Sequence, residues 1–561
     1  MKLLATLALG SIAQMRPSHA ARSSGNLDLE EDHSRRLQLD GGTGGVPPDG
    51  GLRSCDEIIP TGFSGNVLPR DFVWEMLQRV LEDNDAPEEV VSMMESMPLY
   101  DVRIWKMCTS CEEANGLWDA SHDVSAGLAM PYCVPGTFAS GRTMSGLILE
   151  PIDPETGLPP TGRVGATMYN YFTVGNQFVV PSQALDVGMP DAYFGAIAAA
   201  SAGTYTIASD FLGFGEDWEG VQSFLVKDVY QASTIPLLLK LRDSIDRNYG
   251  GCRGTELDKR VAIMGYSEGG YATVAVANAI DKLRDGYRHT YMGIGGGPLK
   301  MGSEMLMAVE GIVDGTYPFA QLYARLGNAY SSTNQDLVNT DLGQDMASEE
   351  YMDPNDPAKN VFEWAISGLD YNSMFPYMPG PPASDMINPA LAQLVLDEAS
   401  AGGRDPCNSE FVTDEVDQLC QALLDNDLSD IVDAMNYQLT FCHSQEDDIV
   451  LFENIPDTTT RDNFILIEDL IGDVLDPSVG AGDNGDGLKP AGGHLEAINF
   501  CYIGYLFPYI DPDDSANVRG IRPLERTCGY ESSTSRSSKK SKSSKKSKSS
   551  KTSKSTKSKR R

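Results

Sequence analysis

The segment Gly265-Tyr266-Ser267-Glu268-Gly269-Gly270 follows directly on the apolar run Val261-Ala262-Ile263-Met264 and leads straight into a stretch rich in Ala and Val. A short apolar run reads as a buried strand, and the Ala-rich stretch after it reads as a helix. A serine hydroxyl is a weak nucleophile unless it stands at a sharp strand-to-helix turn, where small neighbours permit a strained backbone and the helix N-terminus favours negative charge. Gly265 and Gly269 are such neighbours. Ser267 is therefore the candidate nucleophile, and the amide of Glu268 is the candidate first donor to an oxyanion formed beside it.

A serine needs a base, and the chain holds six histidines: His19, His33, His122, His289, His443 and His494. Where the serine sits at such a turn, the acid and then the base follow it along the chain, which leaves His443 and His494. His443 ends a strand-like segment with no acid ahead of it in that order, so it reads as a loop residue. His494 follows Pro490-Ala491-Gly492-Gly493, whose glycines let the backbone turn an imidazole toward the nucleophile. For the acid, Glu446, Asp447 and Asp448 compete directly after the segment ending at Cys442. One buried carboxylate suffices to hold the imidazole tautomer; Asp447 is favoured and Asp448 is its rival.

No metal or cofactor is expected. Cys108-Thr109-Ser110-Cys111 is a single Cys-x-x-Cys without a second pair, and reads as structural. The loop Gly482-Asp483-Asn484-Gly485-Asp486-Gly487 lacks the alternating acids and terminal Glu of a calcium loop.

These residues need a scaffold. From about Pro151 to Leu299, runs of strand length alternate with segments of helix length: strands at Val164 to Phe172, Thr204 to Ser209, Val261 to Met264 and Tyr291 to Gly295, and helices at about Pro190 to Ser201, Val221 to Leu241 and Gly269 to Leu283. Such alternation predicts an α/β fold, a mostly parallel sheet with helices on both faces. Earlier strands at Asp101 to Met107 and Met144 to Leu149 read as additions to the sheet edge. Residues 301 to 435 break the rhythm with an acidic, helical and Pro-interrupted pattern, and read as an inserted helical cap. The rhythm returns at Tyr437 to Cys442 and Phe464 to Glu468, and closes with a helix from about His494 to Phe507.

The two ends have another character. Residues 1–20 pair Lys2 with an apolar run from Leu3 to Ala13 and small residues at Ser18 and Ala20, the pattern of a cleaved export signal. Residues 21–51 are polar and read as a propeptide or linker, leaving 52–530 as the folded domain. Residues 531–561 hold 13 of the 44 Lys and Arg but one of the 80 acids, so this tail is near +12 and the remainder near −48. So acidic a body disfavours nucleic acid as a partner, and no apolar run reaches the roughly twenty residues of a membrane span. Ten cysteines behind an export signal predict disulfides, whose pairing spacing does not fix. No Asn-x-Ser/Thr occurs.

Taken together, the turn at Ser267, the segment Tyr205 to Gly215, the segment from Cys442 to Val450 and Gly493-His494-Leu495 resemble the α/β-hydrolases of the secretory-lipase-like esterase group. The resemblance implies Ser267 as nucleophile, Asp447 as acid, His494 as base, and a structural role for Asp210. It implies an esterase or lipase acting on small-molecule esters or lipids without a cofactor, with the cap bearing on selectivity. Met374-Phe375-Pro376-Tyr377-Met378 in that cap reads as ordinary packing or as the lining of an acyl pocket. Where that group has a His-Gly pair before the oxyanion hole, this chain has Asn170-Tyr171-Phe172-Thr173, with Thr173 as the candidate second donor. The Ser-spaced lysines of the tail, together with Arg35-Arg36-Leu37, resemble diatom silaffins and other silica-associated cell-wall proteins. That implies a secreted or cell-wall protein held on a polyanionic surface such as silica. A secreted serine peptidase and a catalytically weak silica-matrix protein are the alternatives.

Overall fold

The computed structural model describes residues 55–510, apart from 122–132, 185–192, 334–386, 467–492 and several shorter loop stretches. The expected export signal, the linker, the Met374 to Met378 cluster, the Gly482 to Gly487 loop and the basic tail lie outside the described residues.

Among the described residues ten strands form one sheet: β1 (Glu57–Ile58), β2 (Val67–Leu68), β3 (Asp101–Ser110), β4 (Thr143–Ile152), β5 (Gly162–Asn170), β6 (Tyr205–Ser209), β7 (Thr255–Tyr266), β8 (Arg288–Gly295), β9 (Leu439–Cys442) and β10 (Phe464–Leu466). The order across it is β1-β3-β4-β6-β5-β7-β8-β9-β10, with β2 beside β3. β3 and β4 run antiparallel at one edge, as their early position suggests, and every pairing from β6 through β10 is parallel. The central strands are continuous apolar runs because both of their faces are covered. From Val261 to Tyr266 every residue of β7 is buried.

One helical layer contains α1 (Arg70–Asp83) and α2 (Phe194–Ser201), and another contains α3 (Lys227–Tyr249) and α4 (Glu268–Lys282), which pack on each other and on β7. The sequence predicts α3 from Val221, yet it begins at Lys227 and runs on to Tyr249. Residues 222–226 form a loop instead, with Leu225 at φ 54° and its amide donating to the Tyr230 hydroxyl at 2.9 Å. A positive φ at Leu cannot continue a helix, so the turn lifts Phe224 and Leu225 away from the helix axis.

Between β8 and β9 the described part of the insertion is helical: α5 (Met301–Asp314), α6 (Ala320–Thr333), α7 (Pro389–Ala401), α8 (Asp417–Asp425) and α9 (Ser429–Ala434). After β10 the chain returns as α10 (Ala497–Tyr505), which packs against α2, β7 and β8.

Four disulfides join described cysteines: Cys55–Cys108, Cys111–Cys133, Cys407–Cys420 and Cys442–Cys501. The two cysteines of the Cys-x-x-Cys therefore go to different partners. Cys55, Cys108 and Glu216 are the one three-residue group of metal-ligand type among the described residues, and its two sulfurs are already bonded to each other. No helix among the described residues is long and apolar enough to cross a membrane.

Candidate active site

Parallel strands in register end together, so the loops after β5, β7, β8 and β9 meet at one edge of the sheet, where α/β folds place their ligands. Asn170 at the end of β5 lies opposite Gly265, and Tyr266 at the end of β7 lies opposite Gly295.

Ser267 stands between β7 and α4 at φ 58° and ψ −124°. That conformation costs a non-glycine residue on the order of 1–3 kcal/mol and persists only where its surroundings enforce it. They do so here by close approach. A Cβ on Gly265 would lie 2.3 Å from the Gly269 carbonyl oxygen, and one on Gly269 would lie 2.1 Å from that of Asn170. Only glycine at both positions lets helix and strand cross so tightly. The Ser267 amide donates to the Gly295 carbonyl at 2.8 Å, and the Ser267 carbonyl accepts from Gly270 at 2.8 Å. The turn is thus tied to both the sheet and the helix.

The structure brings the three sequence-predicted side chains together. Ser267 Oγ is 2.8 Å from His494 Nε2, and His494 Nδ1 is 2.7 Å from Asp447 Oδ2. Asp447 Oδ1 accepts from the amides of Ile449 and Val450 at 2.9 and 2.8 Å. Burial pushes the Asp447 carboxyl up, but the imidazoles of His494 and His443 outweigh it and hold the group well below the usual carboxylate range. Asp448 touches the same histidine differently, since its Oδ1 accepts from the His494 backbone amide at 3.2 Å.

His443 lies in the loop after β9, as the sequence suggests, yet it is buried there, with Nε2 3.1 Å from Asp447 Oδ2 and 2.8 Å from the Val450 carbonyl. A turn of four residues from strand end to acid brings the two together, and that His443/Asp447 spacing is the sequence signal that could have revealed the contact. Asp210 is fully buried, its carboxylate accepting from Ser145 Oγ and from the Ser182 amide. It bonds other parts of the fold, away from the Ser267–His494–Asp447 line.

A cavity opens on Ser267, with Thr173 and Glu268 on its wall. Much of the rest is apolar: Phe224 and Leu225 from the loop before α3, Met301 and Met305 from α5, and Leu322 and Leu326 from α6. The apolar residues of α5 and α6 recur at spacings of four, so each helix turns one stripe toward the serine. Two acids interrupt this lining. Glu268 accepts from the Tyr230 hydroxyl at 2.8 Å and from Gln222 at 3.3 Å, and Gln222 is in turn held by Arg325. Burial pushes the Glu268 carboxyl up, against the nearby Arg325 guanidinium and these hydrogen bonds. Glu304 of α5 accepts from Asn454 at 3.0 Å, and burial together with the charge of Asp447 drives its carboxyl well above the usual range. Neither Glu304 nor the Gln222–Arg325 support is legible in the sequence, because nothing local marks them as neighbours of Ser267.

A serine whose hydroxyl meets one imidazole nitrogen, while the other meets a buried carboxylate, can pass its proton to the ring as it attacks an electrophilic carbon. No family model matches the chain, and no curated relative matches it in sequence. In fold it is similar to the rice cell wall degrading esterase LipA from Xanthomonas oryzae, at 17% identity and a TM-score of 0.52, over 82% of this chain and 97% of that one. It is also similar to a Legionella pneumophila protein assigned to the hydrolases, at 14% identity and a TM-score of 0.51, over 81% and 98% of the two chains. At these identities the likeness is one of architecture, and with the sheet order and the turn at Ser267 it identifies the fold as that of the α/β-hydrolases.

Proposed function

We propose that this protein is a secreted serine hydrolase that cleaves carboxylic esters through an acyl-enzyme. The observation that carries the reading is the continuous line from Ser267 Oγ through His494 to Asp447, at 2.8 and 2.7 Å. Ser267 Oγ attacks the ester carbonyl carbon while its proton passes to His494 Nε2. Asp447 stays ionised and stabilises the imidazolium. The oxyanion is met by the amide of Glu268 at the start of α4, with Thr173 as the second donor. Each such donor is worth about 2.7–4 kcal/mol to the transition state. His494 then returns the proton to the departing alcohol, and water enters to release the acid by the same route in reverse.

The apolar stripes of α5 and α6 support an ester or lipid with an apolar acyl part as substrate, and no step calls for a metal or cofactor. Residues 1–20 act as the export signal, and residues 531–561 as an anchor to silica or another polyanion. The disulfides are consistent with an oxidising, extracellular setting.

The test is to treat the purified protein with a fluorophosphonate and then assay a panel of esters and peptides. Label on Ser267 with ester turnover, both absent in Ser267→Ala, is the expected result. Equal turnover in that variant would remove the enzyme reading, and cleavage confined to peptides would replace esterase by peptidase.

A further inference from the structure

We propose that His443 is a positioning residue for this reaction: as a second imidazole on Asp447 Oδ2, it fixes the carboxylate that orients His494. The inference rests on the reading of Ser267, His494 and Asp447 given above. Oδ2 lies 2.7 Å from His494 Nδ1 and 3.1 Å from His443 Nε2, and Oδ1 accepts the amides of Ile449 and Val450 at 2.9 and 2.8 Å. A carboxylate offers about four lone-pair positions; three are taken by hydrogen bonds, and the N–H edge of His443 stands beside the remaining side of Oδ2, so the group has little freedom to turn.

The tautomer follows from the neighbours. His443 Nε2 faces the Val450 carbonyl at 2.8 Å as well as the carboxylate, and both groups only accept. Nε2 must therefore carry the proton; it donates it to the Val450 carbonyl and brings the positive N–H edge of the ring within 3.1 Å of the carboxylate. Nδ1 is left as a bare lone pair, buried and with no hydrogen-bond partner. An orphaned buried nitrogen costs stability that Leu or Phe at this position would not, so filling space does not explain a histidine here.

The charged and titratable groups around the contact are Asp447 and Asp448 on the same loop, His494, and Glu304 of α5, which feels the charge of Asp447. Among the described residues His443 is the one side chain besides His494 whose N–H edge lies against Asp447 Oδ2. Its proton draws part of the carboxylate charge away from His494. Without it, the Asp447 charge acts undiminished on His494, and the carboxylate loses the group packed against one side of Oδ2.

The experiment compares the full chain with His443→Leu and His443→Gln, reading fluorophosphonate labelling and kcat/KM against pH on p-nitrophenyl acetate. His443→Leu should move the acidic limb upward by about half a pH unit or more and lower kcat about tenfold. His443→Gln, which keeps an N–H donor at similar reach, should recover most of both. A folded, labelled His443→Leu protein with the wild-type acidic limb would overturn the proposal. Should the variants fail to fold, nitrogen-15 NMR of the wild-type histidines decides: a proton on His443 Nε2 supports it, and one on Nδ1 overturns it. Failure of the underlying reading looks different, since Ser267→Ala would then keep its turnover whatever His443 does.

Discussion

Tyr266 donates its hydroxyl to the backbone carbonyl of His494 at 2.7 Å, and the two rings lie 5.1 Å apart at their centroids. The residue just before the candidate nucleophile thus holds the backbone of the candidate base. Tyr266→Phe removes the hydrogen bond and keeps the ring. Loss of about 1 kcal/mol of positioning should lower kcat roughly fivefold with KM little changed. Steady-state kinetics on a soluble ester, beside a melting curve, separates this from general destabilisation.

Asp447 and Asp448 both touch His494, one through the ring and the other through the backbone amide. Asp447→Asn should lower kcat by about 10⁴, because the amide presents the wrong partner to Nδ1. Asp448→Asn should cost less than about tenfold, as it weakens one backbone contact. The reverse order would shift the acid by one residue.

Glu304 gives a pH dependence of stability whose sign can be worked out. Its carboxyl titrates higher in the folded protein than in the unfolded chain, so its contribution is fully present below the unfolded value of about 4.3 and is lost as pH rises through the folded one. Glu304→Gln keeps an acceptor for Asn454 and removes the ionisation. The variant should gain nothing in Tm at pH 4 and about 1–3 °C at pH 8, measured by scanning calorimetry. A gain independent of pH would mean that the carboxyl is not what is being relieved.

The proposed anchoring by the tail can be tested apart from the proposed ester hydrolysis. Residues 531–561 carry about +12 and the remainder about −48, so adsorption to silica should be lost when they are deleted, while the esterase rate is kept. Binding by the full chain should weaken as salt screens charges beyond about 8–10 Å. A truncated protein that adsorbs as well as the full chain at physiological salt would end the anchoring idea.

How far the sequence reaches follows from where each signal is local. The strand–turn–helix around Ser267 is written in consecutive residues, so its fold context could be read directly. The alternation that builds β5 through β8 extends over whole segments and survives errors of a few residues at each end. The start of α3 is not legible because Gln222 to Val226 has helical composition, while the Tyr230 hydroxyl and the positive φ of Leu225 make it a loop that places Phe224 and Leu225 in the cavity wall. The role of His443 is not legible in chain order, which says nothing about a second imidazole beside the same acid. Glu304 sits in an apolar helical pattern whose facing side only the tertiary structure sets.

The Cys442–Cys501 bridge, spanning 59 positions, closes a ring of chain that contains both Asp447 and His494 and leaves Ser267 outside. A single proteolytic cut anywhere within that ring would open the backbone without freeing either side chain's segment, since each fragment keeps one of the bonded cysteines. A chain cut there therefore remains one covalently joined molecule. Its fragments would migrate together on a non-reducing gel and come apart only when the bridge is reduced.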